Sequence, residues 1–150
     1  LVGSEMCIRD RIMNAINFYR KGNWCYRHHI PFLPQFFKAF TYLIFNSVVP
    51  YTMKIGAESK FAYGGVSCVV HGRSTIGDRV IIGQNTTIGR SLDPEDFPTI
   101  GNDVYISAGA RIIGNITVGN NVIIGANAVV NKDVPDNCIV AESRQGLSER

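Results

Sequence analysis

Residues 100–130 read IGNDVYISAGARIIGNITVGNNVIIGANAVV, a stretch in which isoleucine or valine returns at every sixth position. A spacing of six fits neither an α-helix, whose period is 3.6, nor a strand that alternates every two residues. It is typical of a parallel β-solenoid in which each group of six residues forms one side of a triangular prism. The repeated positions are Val70, Ile76, Ile82, Ile88, Ile100, Ile106, Ile112, Val118, Ile124 and Val130, with Pro94 at the one interrupted step.

A second column follows four residues after most of these positions and holds small or β-branched side chains. It comprises Val80, Thr86, Val104, Ala110, Ile116, Val122 and Ala128. Both columns are predicted to point into the prism. The segments Gly77-Asp78, Gly101-Asn102-Asp103 and Gly119-Asn120-Asn121 are predicted to turn its corners, because Gly, Asn and Asp accept a left-handed backbone at low cost. The fold class is therefore an all-β solenoid, a parallel β-helix of hexapeptide repeats with between four and five coils.

The repeat divides the chain into four parts. We expect residues 1–13 to be non-native or disordered, 14–54 to form a short α-helical segment, 55–140 to form the β-helix and 141–150 to be an atypical tail. The polar segment 90–98 is expected to leave the prism as a loop, and loops on a rigid scaffold commonly carry function.

The helical segment is predicted to hold two helices, at 14–29 and at about 35–47, separated by Pro31 and Pro34. The apolar anchors of the first are Ile16, Tyr19, Trp24 and Tyr26. The second has a broad apolar face made of Phe36, Phe37, Phe40, Leu43, Ile44 and Val48. A bilayer-spanning helix needs about 20 mainly apolar residues. The stretch 30–50 contains several polar residues, so we expect it to pack on the prism or on a neighbouring subunit, with peripheral membrane contact as the alternative.

Charge is unevenly distributed along the chain. Residues 1–54 hold seven Lys or Arg and two Asp or Glu, a net charge of +5, whereas the remainder holds eight against ten, a net charge of −2. The basic part also holds 11 of the 15 aromatic residues. Such a segment suits nucleic acid or an anionic membrane. Because it has no recognisable nucleic-acid motif, we predict no nucleic-acid partner.

The cysteines and histidines bear on compartment and metal content. Cys7, Cys25, Cys68 and Cys138 form no CxxC pair, and the chain has three histidines. This pattern favours reduced thiols and a cytoplasmic location over a disulfide framework, and it predicts no zinc site.

The repeat, the extruded loop and the closing segment Asp133-Val134-Pro135 resemble the left-handed β-helix acyltransferases, most closely their serine acetyltransferase-like branch. The similar segments are YRKGNW (19–24), HIP (29–31), YGGV (63–66), VVH (69–71), IGQNTTIG (82–89) and IGANAVV (124–130). The resemblance implies left-handed coiling, a homotrimer, acetyl-CoA as the acyl donor, transfer to a hydroxyl group and a histidine general base.

The chain departs from that family in three places. Its helical segment is much shorter, Phe97-Pro98 stands where the family carries a second active-site histidine, and Ala141 leads into 142–150 in place of the usual Gly-x-Pro-Ala tail. A non-catalytic hexapeptide scaffold is therefore an alternative to an enzyme.

His71 is the candidate general base. It follows the inward Val70 where most repeats place glycine, so its side chain is predicted to point outward at a corner, near the loop 90–98. An imidazole has a pKa near neutrality and can take a proton from a hydroxyl group. A solvated surface histidine is the alternative interpretation of this residue.

The predicted acceptor-binding residues are Gln84, Asn85, Arg90, Asp93 and Asp96. We expect Gln84 and Asn85 to lie one coil on from His71. Serine is zwitterionic and requires a cation, from Arg73 or Arg90, and an acid, from 93–96. A sugar would use neutral hydrogen-bonding groups and an aromatic platform, which Gln84, Asn85, Phe97 and Tyr105 offer. We expect serine as the acceptor, with a sugar or polysaccharide hydroxyl as the alternative.

The resemblance also implies where the cofactor is held. Ala108, Ala126, Asn131 and Lys132 match positions that hold CoA in related acetyltransferases. Together with Gly109, the small residues are expected to line a groove between neighbouring prisms, with Lys132 at the CoA phosphates. No metal is expected to take part.

Overall fold

The computed structural model describes residues 13–91 and 97–141, which form two helices followed by a left-handed parallel β-helix. The helices are α1 (Ala15–Arg27) and α2 (Leu33–Phe45), and a 3-10 turn spans Ala62–Gly65. The strands are β1 (Lys54–Ile55), β2 (Lys60–Phe61), β3 (Val69–Val70), β4 (Thr75–Ile76), β5 (Ile81–Ile82), β6 (Thr87–Gly89), β7 (Thr99–Ile100), β8 (Tyr105–Ile106), β9 (Arg111–Ile113), β10 (Thr117–Val118), β11 (Ile123–Ile124), β12 (Val129–Val130) and β13 (Ile139–Val140). The predicted fold class is confirmed.

Three parallel sheets make the sides of the prism. The first face contains β1, β4, β7 and β10, the second contains β2, β5, β8, β11 and β13, and the third contains β3, β6, β9 and β12. We call the turn from the first face to the second the first corner, from the second to the third the second corner, and from the third back to the first the third corner. The register stacks each repeated residue on its equivalent one coil away, as with Ile82 and Ile106.

The two apolar columns fill the prism. The repeated Ile and Val residues from Val70 to Val130 are at most 3% exposed, and those of the second column, from Val80 to Ala128, are at most 5% exposed. Both predicted columns are therefore confirmed as core. Full burial of one such side chain contributes roughly 1.5–3 kcal/mol, so the stacked columns are the main source of stability in the prism.

The glycines of the first corner have a different role from the one predicted. The left-handed residues there are Glu58, Arg79, Asp103, Asn121 and Asn137, one in each coil, with φ between 53° and 59°. Asp103 and Asn121 confirm the left-handed backbone predicted for their segments, but Gly77, Gly101 and Gly119 do not have a positive φ, so the prediction is wrong for the glycines. Instead, a Cβ on Gly101 would lie 2.8 Å from the carbonyl group of Gly119 in the next coil. Glycine is needed there because successive coils approach closely.

The residue after each corner glycine joins its coil to the preceding one. The side chain of Asp78 accepts a hydrogen bond from the Ala57 N–H at 2.6 Å, and Asn102 accepts from the Asp78 N–H at 2.8 Å. The same bond recurs from the Asn102 N–H to Asn120, at 2.8 Å, and from the Asn120 N–H to Asp136, at 2.7 Å. This ladder gives one corner N–H group a side-chain partner in successive coils, which explains why Asp or Asn follows the glycine at positions 78, 102 and 120.

Two insertions interrupt the repeat without breaking it. Nine residues, not six, separate Phe61 from Val70, as the sequence predicts, and the extra ones form the 3-10 turn with Gly64 (φ 75°) and Gly65 (φ 83°). The second lies at the third corner, where Ile76 pairs with Ile100, 24 residues later, whereas Ile100 pairs with Val118, 18 residues later. This insertion equals one whole repeat, so the inward phase is preserved.

Helix α1 is anchored on the first coil of the prism. Its N-cap, Asn14, accepts a hydrogen bond from the Ile16 N–H and donates one to the Phe61 carbonyl at 2.7 Å, while the Tyr19 hydroxyl donates to the Met53 carbonyl at 2.6 Å. Ile16 and Tyr19 are buried as predicted. Trp24 and Tyr26 are 57% and 51% exposed, so their prediction as anchors is wrong. The buried face of the helix passes through Ala15, Ile16, Tyr19, Gly22 and Cys25.

Helix α2 packs through a face that the sequence did not indicate. The helix begins at Leu33 because Pro34 is accepted in the first turn. Its buried residues are Pro34, Thr41 and Phe45. In the predicted apolar face, Phe36 is 60% and Leu43 79% exposed, whereas Phe40 is partly buried against Phe18 of α1. Only part of that face therefore packs within the described chain. None of the helices within 13–91 and 97–141 has the length and apolar content needed to cross a membrane.

The first-corner glycines give a direct test of coil stacking. We expect Gly101→Ala to destabilise the fold by about 2 kcal/mol, because its Cβ would clash with the Gly119 carbonyl group. Gly89→Ala is the matched control, since a Cβ there meets nothing within 4 Å. Urea denaturation gives the free energy of unfolding of both variants. Equal stabilities would show that close approach does not explain the corner glycines.

Candidate functional site

His71 lies at the third corner, directly after β3. Its N–H donates to the Ile88 carbonyl at 2.8 Å, which fixes the backbone against the next coil, and the side chain is partly exposed. Val70 pairs with Ile88, so the residue one coil after His71 is Gly89. Because Gly89 has no side chain and the space around it is open, the imidazole has free volume beside it on the prism surface.

The end of the loop is folded back over His71. The ring of Phe97 stacks on the imidazole with centroids 4.4 Å apart and planes 23° apart. The guanidinium carbon of Arg73 lies 4.6 Å from the Phe97 ring centroid, within the range of a cation–π interaction. The sequence predicted that His71 meets this loop, but it gave no signal that the contact would be made by Phe97.

The hydrogen bonding of His71 determines where it can take up a proton. Nδ1 accepts the Arg73 N–H at 3.3 Å, so the neutral ring has its hydrogen on Nε2 in this arrangement. The bond is long and therefore weak, and a substrate hydroxyl could displace it. Burial first, then the charges of Arg90 and Arg73, lower the pKa of His71 below the ordinary 6.5. The ring is therefore predominantly neutral at neutral pH, as a general base requires.

A second group of predicted residues lies together at the second corner. Gln84 stacks on Ala108, which stacks on Ala126, through backbone bonds from the Gly109 N–H to the Gln84 carbonyl at 2.9 Å and from the Asn127 N–H to the Ala108 carbonyl at 3.0 Å. Asn85 and Gly109 both have a positive φ, of 56° and 74°. The corner itself therefore accounts for asparagine and glycine at these two positions. The column presents small side chains and backbone groups to the outside.

The two groups lie at opposite edges of the third face. Four residues of extended chain separate Asn85 from Gly89, which corresponds to about 13 Å at 3.3 Å per residue. The expectation that Gln84 and Asn85 lie one coil on from His71 is therefore wrong, because the register places Gly89 there. Within one chain, His71 and the second-corner residues do not form a single site.

The remaining predicted site residues lie along the third corner or outside the described residues. Asn131 and Lys132 are exposed just after β12, three coils from His71, which is about 14 Å at the strand spacing. Arg90 is exposed at the start of the loop. Asp93 and Asp96, with Glu95, lie outside the described residues. In the described part of the chain, no three side chains of the types that bind metals come together.

The outer surfaces of the first and second faces differ in polarity, which was not predicted from the sequence. The outward column of the second face contains Ile81, Tyr105, Ile123 and Ile139, which the register stacks on one another. The last three are 47%, 45% and 74% exposed. The equivalent column on the first face is threonine at 75, 99 and 117. Three repeats make one coil, so every third repeat lies on the same face. Comparing the residues that precede the inward positions of every third repeat would have revealed this apolar surface.

Known proteins share this architecture and sequence pattern. Residues 97–132 match the family model described as bacterial transferase hexapeptide (six repeats). A serine acetyltransferase from Synechococcus elongatus is 31% identical over 140 residues, which is 92% of this chain and 57% of the relative. The chain thus spans little more than half the length of that relative.

Two solved structures give the same result at the level of the fold. Serine acetyltransferase in complex with CoA has 31% identity and a TM-score of 0.74, covering 83% of this chain and 51% of that one. Neisseria gonorrhoeae serine acetyltransferase in complex with serine has 28% identity and a TM-score of 0.78, covering 87% and 54%. The similarity therefore extends over both the helices and the prism.

The charges around His71 predict a specific change in its titration. Because the cation of Arg90 lowers the pKa of His71, Arg90→Gln should raise that pKa. The midpoint of the His71 ring signals in an NMR pH titration should move to higher pH. Lys60→Gln, which removes an exposed cation from the second face, is the control and should leave the midpoint unchanged. An unchanged midpoint in Arg90→Gln would contradict the electrostatic account.

Proposed function

We propose that the chain, which is similar to the bacterial hexapeptide transferases and to serine acetyltransferases, is an acetyl-CoA-dependent O-acetyltransferase acting on serine. The observation that carries the proposal is the partly exposed imidazole of His71, kept neutral by burial and by two arginines at a corner of the prism. The serine and CoA complexes of similar structures support the choice of substrates.

His71 is proposed as the general base. Nδ1 takes the proton of the serine hydroxyl, and the hydroxyl oxygen attacks the carbonyl carbon of the thioester. The carbon–sulfur bond then breaks, the acetyl group remains on the serine oxygen, and the imidazolium proton passes to the departing sulfur. A positioned base of this kind typically contributes 10²–10⁴-fold to the rate. The weak bond from the Arg73 N–H is the one that the hydroxyl replaces.

The second corner is proposed to hold the acyl donor. Ala126 is exposed, Ala108 is partly exposed and Gly109 between the coils is buried, and these small residues allow the pantetheine arm of CoA to lie close to the chain. Asn131 and Lys132 are proposed to bind the polar end, with the lysine near the phosphates. A cation next to phosphates gains from direct charge attraction, and more so where water is excluded.

The distance between the two corners supports sites shared between subunits of a homotrimer. A three-fold ring uses a heterologous interface, in which one surface of a subunit meets a different surface of the next. The exposed apolar column Tyr105, Ile123 and Ile139 is a surface that such an interface would cover. We propose that the second corner of one subunit thereby approaches His71 of its neighbour, so that the base and the donor site come from two chains.

The charges near His71 favour serine over a sugar. Arg73 and Arg90 offer cations for the serine carboxylate, and Asp93 and Asp96 are proposed to bind its amine, with Gln84 and Asn85 as further acceptor contacts from the second corner. A sugar site would need an open aromatic platform. The Phe97 ring could have formed such a platform, but it is already in contact with both His71 and Arg73. A sugar O-acetyltransferase is therefore the second candidate.

The cysteines support a cytoplasmic location. Cys25, Cys68 and Cys138 are free thiols, and the first two are buried. Burial raises the pKa of the Cys68 thiol, which makes it less reactive toward oxidants. Proteins of oxidising compartments usually pair their cysteines, so we propose that the protein works in the cytoplasm.

The acceptor is tested by measuring CoA release. With acetyl-CoA and L-serine we expect CoA formation well above the hydrolysis background, because the arginines near His71 suit the carboxylate of serine. Free hexoses and nucleotide sugars should give no increase. Turnover with a sugar and not with serine would replace the proposal by the second candidate, and no turnover with any acceptor would indicate a scaffold.

The base is tested by His71→Ala. We expect kcat/KM for serine to fall by about 10²–10⁴-fold with an unchanged circular dichroism spectrum, because the proton acceptor is lost while the fold is not. A loss below about threefold in a folded variant would exclude His71 as the base. The shared site is tested in the same assay by mixing His71→Ala with Ala126→Trp, a variant designed to block the donor site.

The two inactive variants should complement one another when refolded together. If base and donor site come from neighbouring chains, about a quarter of the sites in random mixed trimers contain both intact halves. Activity should therefore recover in the mixture but not in either variant refolded alone. No recovery in mixed trimers would place both halves of the site on one chain.

A further inference from the structure

The outward side of α2 is apolar along its whole length. Leu33, Phe36, Phe40, Leu43 and Ile44 recur at a spacing of three or four residues and therefore share one face of the helix. We call this set the outer stripe. Phe36 and Leu43 are 60% and 79% exposed, and Leu33 and Ile44 are both 41% exposed. Helix α2 packs on the molecule through Pro34, Thr41 and Phe45, and Phe40 is partly buried against Phe18 of α1. The other four residues of the stripe stay exposed within the described chain.

The turn before α2 extends the stripe to a projecting tip. Phe32 is 82% exposed and has a φ of 68°, and His29 in the same turn has a φ of 54°. A bulky residue with positive φ is rare, and such strain is retained where it has a use. Here the strained turn holds a phenylalanine outward into solvent. From Phe32 to Leu43 the surface runs about 16 Å along the helix.

A groove beside the stripe combines aromatic and cationic side chains. It has a volume of about 390 Å³ and is lined by Arg20, Lys21, Trp24, Cys25, Leu33 and Phe37. Trp24 is 57% exposed and its ring contacts that of His28, with centroids 4.3 Å apart and planes tilted by 47°. Tryptophan is enriched where an apolar phase meets polar headgroups, because its ring has an apolar body and one N–H donor.

All the charged side chains around the stripe and the groove, in residues 13–57, are cationic. Residues 13–57 contain no Asp or Glu, and their cations are Arg20, Lys21, Arg27, Lys38 and Lys54. Two copies of this surface brought face to face would place cations against cations, which opposes pairing of this surface with itself. An anionic surface is complementary to it, since each Lys or Arg near an anionic bilayer is attracted to the lipid headgroups.

We propose that the outer stripe, with Phe32 and Trp24, docks the protein on an anionic lipid bilayer. The helix α2 lies along the surface with its stripe in the headgroup and upper acyl region, as amphipathic interfacial helices do. Arg20 and Lys21, which line the groove beside the stripe, contact lipid phosphates. This docking does not depend on acetyl transfer, and it would hold the prism at a membrane surface.

The test uses the full chain and vesicles of phosphatidylcholine, with or without phosphatidylglycerol. We expect co-sedimentation with the anionic vesicles only, weakened by high salt. Trp24 is the only tryptophan in the chain, so its emission reports directly on the groove. It should shift to shorter wavelength on binding, be quenched by brominated lipids and become shielded from a water-soluble quencher.

Variants separate the apolar and the electrostatic contributions. Phe36→Ser and Leu43→Ser should each weaken vesicle binding about tenfold, whereas Val129→Ser, an equally accessible valine at 63% exposure on the third face, should not. The double variant Arg20→Glu, Lys21→Glu should weaken binding about a hundredfold at low salt, and Lys60→Glu is its control. All the replaced side chains are exposed, so folding is retained.

Several results would overturn the proposal. These are the absence of binding to anionic vesicles, equal binding to neutral and anionic vesicles, and Trp24 remaining open to the aqueous quencher in the bound state. If Phe36→Ser instead dissociated an assembly that forms without lipid, as seen by sedimentation, the stripe would be an interface between protein chains and not a membrane surface.

Discussion

Each coil of the prism lies one strand spacing, about 4.8 Å, from the next, and most local features of the molecule follow from that distance. It requires glycine at Gly77 and Gly101, because a Cβ would enter the backbone of the following coil. It also places the Asp78 and Asn102 side chains within reach of the N–H groups one coil earlier. Since these contacts repeat in register, the stacking of coils determines both the core and the corners.

The sequence predicted the core well because its signal is periodic and local. Ile82 and Ile106 needed only the spacing of six to be placed inside. The corner glycines were interpreted wrongly for the opposite reason. Their neighbours, such as Gly119 for Gly101, are 18 residues away, and backbone preference alone cannot show a steric contact across that separation. Within the predicted corner segments, the left-handed residues are Asp103 and Asn121, and Arg79 adopts the same conformation although its residue type gives no signal for it.

Prediction of the site depended on knowing which corner each residue occupies. His71 was correctly expected at an outward corner, yet Gln84 and Asn85 were placed beside it when they turn the neighbouring corner. The three-residue insertion before Val70 made the count ambiguous, and only the pairing of Val70 with Ile88 resolved it. Helix α2 shows a related limit. Its apolar face was evident from Phe36 and Leu43, but an apolar pattern does not reveal whether anything covers it.

The six-residue insertion at the third corner separates two requirements that usually conflict in an enzyme, a stable frame and a binding segment that can vary. Because it adds one whole repeat, Ile100 still stacks on Ile76 and the hydrogen-bond ladder at the first corner is undisturbed. The free energy of folding is therefore carried by the stacked coils on either side of the insertion, whose added length displaces no inward residue. Such a segment is free to diverge in evolution. One prism can in this way be adapted to new acceptors without any loss in the stability of its frame.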